Sequence, residues 1–349
     1  MSKRIFAIAG VVVVFGAAAV VALALWPRDE GSDAAVPPLS GVLSADAGAG
    51  AGAKLAAELG QSTDGRTEGA LAAPTADPEQ VDAYAVDPAV PPFPVRPRLK
   101  RPPGAGLLFD VDTGEVLWAR RPGEERPIAS LTKMMTALVI AERHRRRERV
   151  VISAKAPRVE GSRIGVLRAG TKAPLRGLFL GLLMVSGNDA AAALAEHDAG
   201  SVGAFVKRMN RRAAELGLVC TRFAGPAGLQ DTGNESCAYD LAALARADLD
   251  NSWVAATVRR RFASVPFPLK GGRLELANNH YFIQRGVAGL PRARVTGVKT
   301  GLTNGAGRCY VTTARIGGRH LGVVLLNSPD PINQVPILLR AGFRAGGDA

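Results

Sequence analysis

The sequence is poor in the residues that hold metals. Three cysteines and four histidines occur in 349 residues. Cys220, Cys237 and Cys309 do not stand at a metal-ligand spacing and the histidines are scattered, so neither a metal nor a cofactor is expected. So few cysteines fit an exported protein that uses disulfides sparingly. Cys220 and Cys237 either pair across the loop between them or remain two buried thiols, and the sequence leaves both readings open. Acidic residues are also in deficit: 44 Lys and Arg against 31 Asp and Glu give a net charge of +13, with basic runs at His144 to Arg149 and Arg259 to Arg261. Such runs attract polyanions or form a solvated face of an Arg-rich chain. No repeat of fixed period is visible.

Large apolar residues are nearly missing from residues 28–97, where Ala, Gly, Pro, Asp and Ser dominate. Such a composition cannot offset its ordering entropy, so the stretch reads as a linker, flexible at first and stiffer from Pro91 to Pro97. Ahead of it, Ile5 to Pro27 carries no charge and is long enough to cross a bilayer as a helix of about 20 residues. Lys3 and Arg4 would keep the N-terminus cytoplasmic. Residues 1–27 are therefore expected to be a single-pass signal-anchor in the cell membrane, with the rest of the chain outside. A cleaved signal peptide, with Ala22-Leu23-Ala24 as a loose cleavage site, is the competing reading and would make the protein secreted. Outside the membrane the available polyanions are lipid head groups and cell-wall polymers, and no nucleic-acid partner is expected.

Residues 98–349 carry the periodic apolar patterns of a single sizeable domain. Gly106 to Arg121 reads as a hairpin turning at Asp112-Thr113-Gly114. A helix-rich middle follows, with apolar residues at three-to-four spacing in "LRGLFLGLLMVS", "DAAAALAEH", "VGAFVKRMNRRAAELG" and "AYDLAALARADL". Three alternating stretches from Arg294 to Ser328 predict an antiparallel meander, and a last short helix, Ile332 to Phe343, would lie against it. Strands at both ends with helices between predict an α+β domain in which N- and C-terminal segments share one antiparallel sheet.

The chemistry is concentrated in "PIASLTKMMTAL". Ser130 and Lys133 lie one helical turn apart, so both side chains share a face and Lys133 can take the serine proton if its own pKa is brought down. Ser130 also falls at a helix N-terminus, where free N–H groups can hold an oxyanion. An N-capping serine beside an unrelated lysine gives the same spacing. Two further motifs follow in order. "VSGNDAA" places Ser186 and Asn188 at a break between helices, and "GVKTGLTNGAG" places Lys299, Thr300 and Gly301 at a strand end.

Ser-x-x-Lys, Ser-x-Asn and Lys-Thr-Gly in this order are the marks of penicillin-binding proteins and serine β-lactamases. Within that superfamily the chain, from about Leu107 to Phe343, resembles the low-molecular-mass D-alanyl-D-alanine carboxypeptidases. The resemblance implies a β-lactamase/transpeptidase-like fold and hydrolysis of the terminal D-alanine from peptidoglycan pentapeptide stems through an acyl-enzyme, with β-lactams as covalent inhibitors. Ser130 would be the nucleophile, Lys133 its general base and Ser186 the proton relay to the leaving amine. Asn188 would bind the substrate amide and orient Lys133. Lys299 would supply positive charge, and Thr300 and Thr303 would bind the terminal carboxylate. The oxyanion would lie between the N–H groups of Ser130 and Leu302, and Gly301 would let substrate lie along the strand edge.

The chain departs from the family pattern in places. "LANNHYF" stands where many members have Asn-x-Asn, and His280 there is expected to be a plain surface residue. "PDPINQ" follows "VVLLNS" where a basic residue is common, which throws carboxylate binding onto Lys299, Thr300 and Thr303. Ending at Ala349, the chain is expected to lack the extra C-terminal β domain and terminal amphipathic anchor of many relatives. Two alternatives stay open: a serine β-lactamase, for which no glutamate on a suitable loop is apparent, and a non-catalytic peptidoglycan-binding relative, against which intact Ser130 and Lys133 argue.

Overall fold

Asp110 makes the first turn. Its Oδ1 accepts from the backbone N–H groups of Asp112 (3.0 Å) and Thr113 (3.1 Å), and Gly114 takes a φ of +85° that a side chain would resist. The chain thereby folds β1 (Ala105–Asp110) against β2 (Val116–Arg120), the expected hairpin. The computed structural model describes residues 83–86, 91–229 and 232–347. The expected anchor and most of the expected linker lie outside these residues. No helix among the described residues is long and apolar enough to cross a membrane.

Short β3 (Arg126–Pro127) leads into a 3₁₀ turn, Ala129–Thr132, and then α1 (Lys133–Arg143). β4 (Arg149–Val151) and β5 (Lys172–Pro174) form a small antiparallel pair before α2 (Leu175–Met184), α3 (Asn188–Ala199) and α4 (Val202–Glu215). The α3 to α4 corner is written in the sequence: Gly200 closes α3 at φ +75°, and the Ser201 hydroxyl caps α4 by accepting from Ala204 N at 3.2 Å. β6 (Glu235–Ser236) pairs with β3, and α5 (Ala238–Asp250) and α6 (Ser252–Val258) follow. The hairpin of β7 (Phe262–Pro266) and β8 (Arg273–Ala277) and the short α7 (Tyr281–Arg285) lead to the long strands β9 (Arg294–Thr303), β10 (Gly307–Ile316) and β11 (Arg319–Leu326), then α8 (Pro331–Ala345).

β1 pairs with β11 from Ala105↔Leu326 to Asp110↔Leu321, so the two ends of the domain share one antiparallel sheet of order β2-β1-β11-β10-β9. The α+β arrangement is as expected. Alternation places Leu107, Phe109, Val324 and Leu326 in the core beneath the helical middle. Leu108, Val323 and Leu325 join Val335, Leu339 and Phe343 of α8 on the other face. A sheet covered on both faces makes its strands near-continuous apolar runs, as in "LGVVLL". β9 is left as an edge, and that edge faces the 3₁₀ turn carrying Ser130.

The docked part of the chain begins before residue 98. Val95 is buried and its N–H donates to Leu117 O (3.1 Å), Phe93 packs on the core, and Tyr84 Oη donates to Asp250 (2.6 Å). A few isolated apolar residues in a proline-rich stretch have no period, so their burial was not legible in the sequence.

Candidate active site

Ser130 sits in the 3₁₀ turn rather than on the α-helix proper, which begins at Lys133. Lys133 Nζ lies 2.9 Å from Ser130 Oγ. Nζ also donates to Ala227 O at 2.6 Å, and among the described residues no carboxylate forms an ion pair with it. Lys133 is wholly buried. Desolvation, with the nearby Lys299 charge second, holds its pKa well below the ordinary ammonium value against an opposing pull from Asp189. A lysine so placed can act as a base toward the neighbouring hydroxyl.

Ser186 and Asn188 lie where expected, at the break between α2 and α3. Ser186 takes a φ of +61° and is 5% exposed, and its Oγ has no partner among the described residues. Ala129, just before the serine, has φ +48°. Such conformations cost of order 1–3 kcal/mol for residues with a Cβ and gather at functional sites. Asn188 is buried, but the expectation that it orients Lys133 is not met. Its Nδ2 donates to Glu160 O (2.7 Å), its N–H donates to Ser162 O (2.7 Å), and the Ala227 carbonyl holds the lysine instead. Asp189, which the sequence reading passed over, accepts from the N–H groups of Ile164 (2.9 Å) and Gly165 (3.0 Å), fixing the 160–165 loop beside the site.

Lys299 is buried on β9 opposite Val311, and its Nζ donates to Thr300 O (2.8 Å). Burial lowers its pKa to about 7. Gly301 has a structural reason besides the expected one. A Cβ there would lie 3.0 Å from Ser130 N, 3.0 Å from Ile128 O and 3.1 Å from Ala129 Cβ, so glycine lets the strand close on the backbone of the serine turn. Leu302 is 69% exposed at the strand edge, and Thr303 Oγ1 accepts from Ala306 N (3.1 Å) in the turn to β10. Gly228 (φ +68°) permits the Ala227 loop to meet Ala129, because a Cβ there would fall 1.9 Å from Ala129 O.

His280 corrects an expectation. It is 2% exposed, not on the surface: its ring packs near Phe282 and Tyr310, and Nε2 lies 3.3 Å from both Val311 O and Thr312 Oγ1. Burial lowers its pKa to about 4. The tertiary closure of α7 onto the sheet buries it, and the surrounding segment has no period that would reveal this. Where a basic residue was missed after β11, Ser328 Oγ bonds Gln334 (2.8 Å) and Asp330 caps α8. Cys220 and Cys237 form a disulfide with Cα atoms 5.6 Å apart, and Cys309 is free and buried.

A serine hydroxyl against a buried lysine, beside an edge strand carrying a second buried lysine, is an arrangement able to activate the hydroxyl as a nucleophile, as serine hydrolases that work through an acyl-enzyme require. A family model described as D-alanyl-D-alanine carboxypeptidase matches residues 101–330, and the chain belongs to that family. It is 32% identical over 232 residues to the D-alanyl-D-alanine carboxypeptidase DacF of Bacillus subtilis, covering 65% of this chain and 58% of that protein. It is 31% identical to the D-alanyl-D-alanine endopeptidase of Escherichia coli, covering 64% and 71%. A crystal structure of a D-alanyl-D-alanine carboxypeptidase from Mycobacterium tuberculosis superposes with a TM-score of 0.66 at 31% identity, covering 73% of this chain and 96% of the other.

Proposed function

We propose that the protein removes the terminal D-alanine from peptidoglycan pentapeptide stems, working outside the cell membrane on an N-terminal anchor with the linker as spacer. The observation that carries this reading is Lys133 Nζ at 2.9 Å from Ser130 Oγ, in a burial that outweighs the opposing pull of Asp189 on its charge. Neutral Lys133 takes the Ser130 proton as Oγ attacks the carbonyl between the two D-alanines. The oxyanion is received by the N–H groups of Ser130 and Leu302. The proton passes through Ser186, whose hydroxyl has no other partner among the described residues, to the departing amine. The C–N bond breaks, D-alanine leaves, and water then hydrolyses the ester on Ser130. Asn188 binds the substrate amide. Lys299, Thr300 and Thr303 receive the terminal carboxylate, whose negative charge favours the ammonium form of Lys299. A β-lactam acylates Ser130 by the same route.

The test is D-alanine release from a diacylated Lys-D-Ala-D-Ala peptide by the full chain, with Ser130→Ala alongside. Release by the parent alone supports the reading. Release by neither, from folded protein, sinks it. The similarity to an endopeptidase favours a second reading, cleavage of D-alanyl cross-links, which the same pair of proteins tests on a cross-linked dimer.

A further inference from the structure

Two of the four histidines, 53 positions apart in sequence, meet in space at the end of α1 opposite Ser130. His144 caps the C-terminus of α1, and His197 lies in the last turn of α3. Their rings are 4.9 Å apart, centroid to centroid, and Glu148, just before β4, contacts both. Glu148 Oε2 lies 2.8 Å from His144 Nδ1 and 3.2 Å from His197 Nε2, and all three atoms fall within 4.8 Å of one another. Ligand atoms around a tetrahedral zinc, at bonds of about 2.0–2.1 Å, stand about 3.3 Å apart. Only a small adjustment separates this cluster from that geometry.

The outer partners decide the argument. His144 Nε2 lies 2.9 Å from Asp198 Oδ1, which turns Nδ1 toward Glu148. The Asp198 side chain is fully buried and is held in turn by Arg143 (2.7 Å) and Arg208 (2.5 Å). Glu148 Oε1 accepts from Arg145 N at 2.5 Å, leaving Oε2 free to face the two rings. A histidine backed by a carboxylate and a carboxylate fixed through its second oxygen are how metal ligands are held in place. Three of the surrounding arginines are engaged elsewhere: Arg143 on Asp198, Arg146 over the Trp253 ring, Arg149 on Lys172 O. Two helix C-termini converge here, and their partial negative charge favours a cation.

We infer that His144, His197 and Glu148 form a site for a divalent transition-metal ion of the zinc type, with a fourth position open to water. The ion ties the C-terminal ends of α1 and α3. The opposite ends of these helices carry Lys133 and Asn188, about 14–17 Å from the two histidines at 1.5 Å per residue. The site therefore braces the two helices that present the active-site residues and takes no part in the reaction.

The experiment uses the full chain, untagged and stripped with chelator, in equilibrium dialysis against Zn²⁺, with Co²⁺ as an optical probe. One Zn²⁺ per chain, a rise in melting temperature and the visible absorption of a four-coordinate Co²⁺ site are expected. Glu148→Gln and His197→Gln each lose the bound ion while penicillin acylation persists, and Asp198→Asn weakens binding about 10- to 100-fold. An absence of saturable binding by the parent, or unchanged stoichiometry in both Glu148→Gln and His197→Gln, overturns the assignment.

Discussion

Lys133, one turn from Ser130 in sequence, donates its second hydrogen bond to the carbonyl of a residue 94 positions away, Ala227. The base is thus positioned by a loop and not by its own helix alone. Thr136, one turn further along α1, donates to Pro226 O at 2.7 Å and fixes the same loop. The Cys220–Cys237 disulfide spans that loop, with Ala227 inside it.

Opening the disulfide is therefore expected to affect both stability and chemistry. Closing a loop of 17 residues contributes about 3 kcal/mol, so the double variant Cys220→Ser with Cys237→Ser should melt roughly 6–12 °C lower. Acylation by a fluorescent penicillin should slow at temperatures where the variant is still folded. An unchanged acylation rate would show that the Ala227 loop holds Lys133 without the bridge.

Lys299 is second only to desolvation in lowering the pKa of Lys133. Lys299→Met removes that positive charge and raises the pKa of Lys133, so the acidic limb of kcat/KM against pH moves to higher pH. KM rises as well, because the substrate carboxylate loses a cation. A profile that drops in height without moving along the pH axis would show that the two lysines are not coupled.

Gly301→Ala places a Cβ 3.0 Å from Ser130 N. The expected stability loss is about 1–3 kcal/mol, as for overpacking. The expected loss of kcat is larger in effect, about 10²-fold, since a displacement of about 1 Å at the nucleophile can cost that much. Urea melts and acylation kinetics on one preparation separate the two effects.

His280 is buried neutral, its pKa lowered to about 4 from an unfolded value near 6.5 by burial first. Between these values the unfolded chain binds a proton that the folded chain does not, so stability rises with pH across the window and is lost as pH falls from about 6.5 to 4. The loss approaches about 3 kcal/mol. His280→Asn should flatten that part of the stability curve, measured by denaturant titration at successive pH values. An equally steep curve in the variant would assign the slope to other groups.

Much of the fold was legible because local signals agreed with the tertiary result. Asp110 to Gly114 forms the expected turn, the Gly200-Ser201 corner separates two helices with the expected periodicity, and the meander from Arg294 follows its alternation. The β4/β5 and β7/β8 pairs are too short for period to reveal them. Burial of Val95 and His280 depends on surfaces supplied by distant strands.

The sequence by itself determined the order and spacing of Ser130, Lys133, Ser186, Asn188 and Lys299, since a helical turn or a strand end sets where each side chain projects. Only the tertiary structure decided that Ala227 rather than Asn188 orients the base, that Gly301 serves the backbone of the serine turn, and that His144, Glu148 and His197 converge. These are contacts between segments distant along the chain. Side-chain period and propensity act over a few residues, whereas long-range contacts arise only when apolar faces choose their partners.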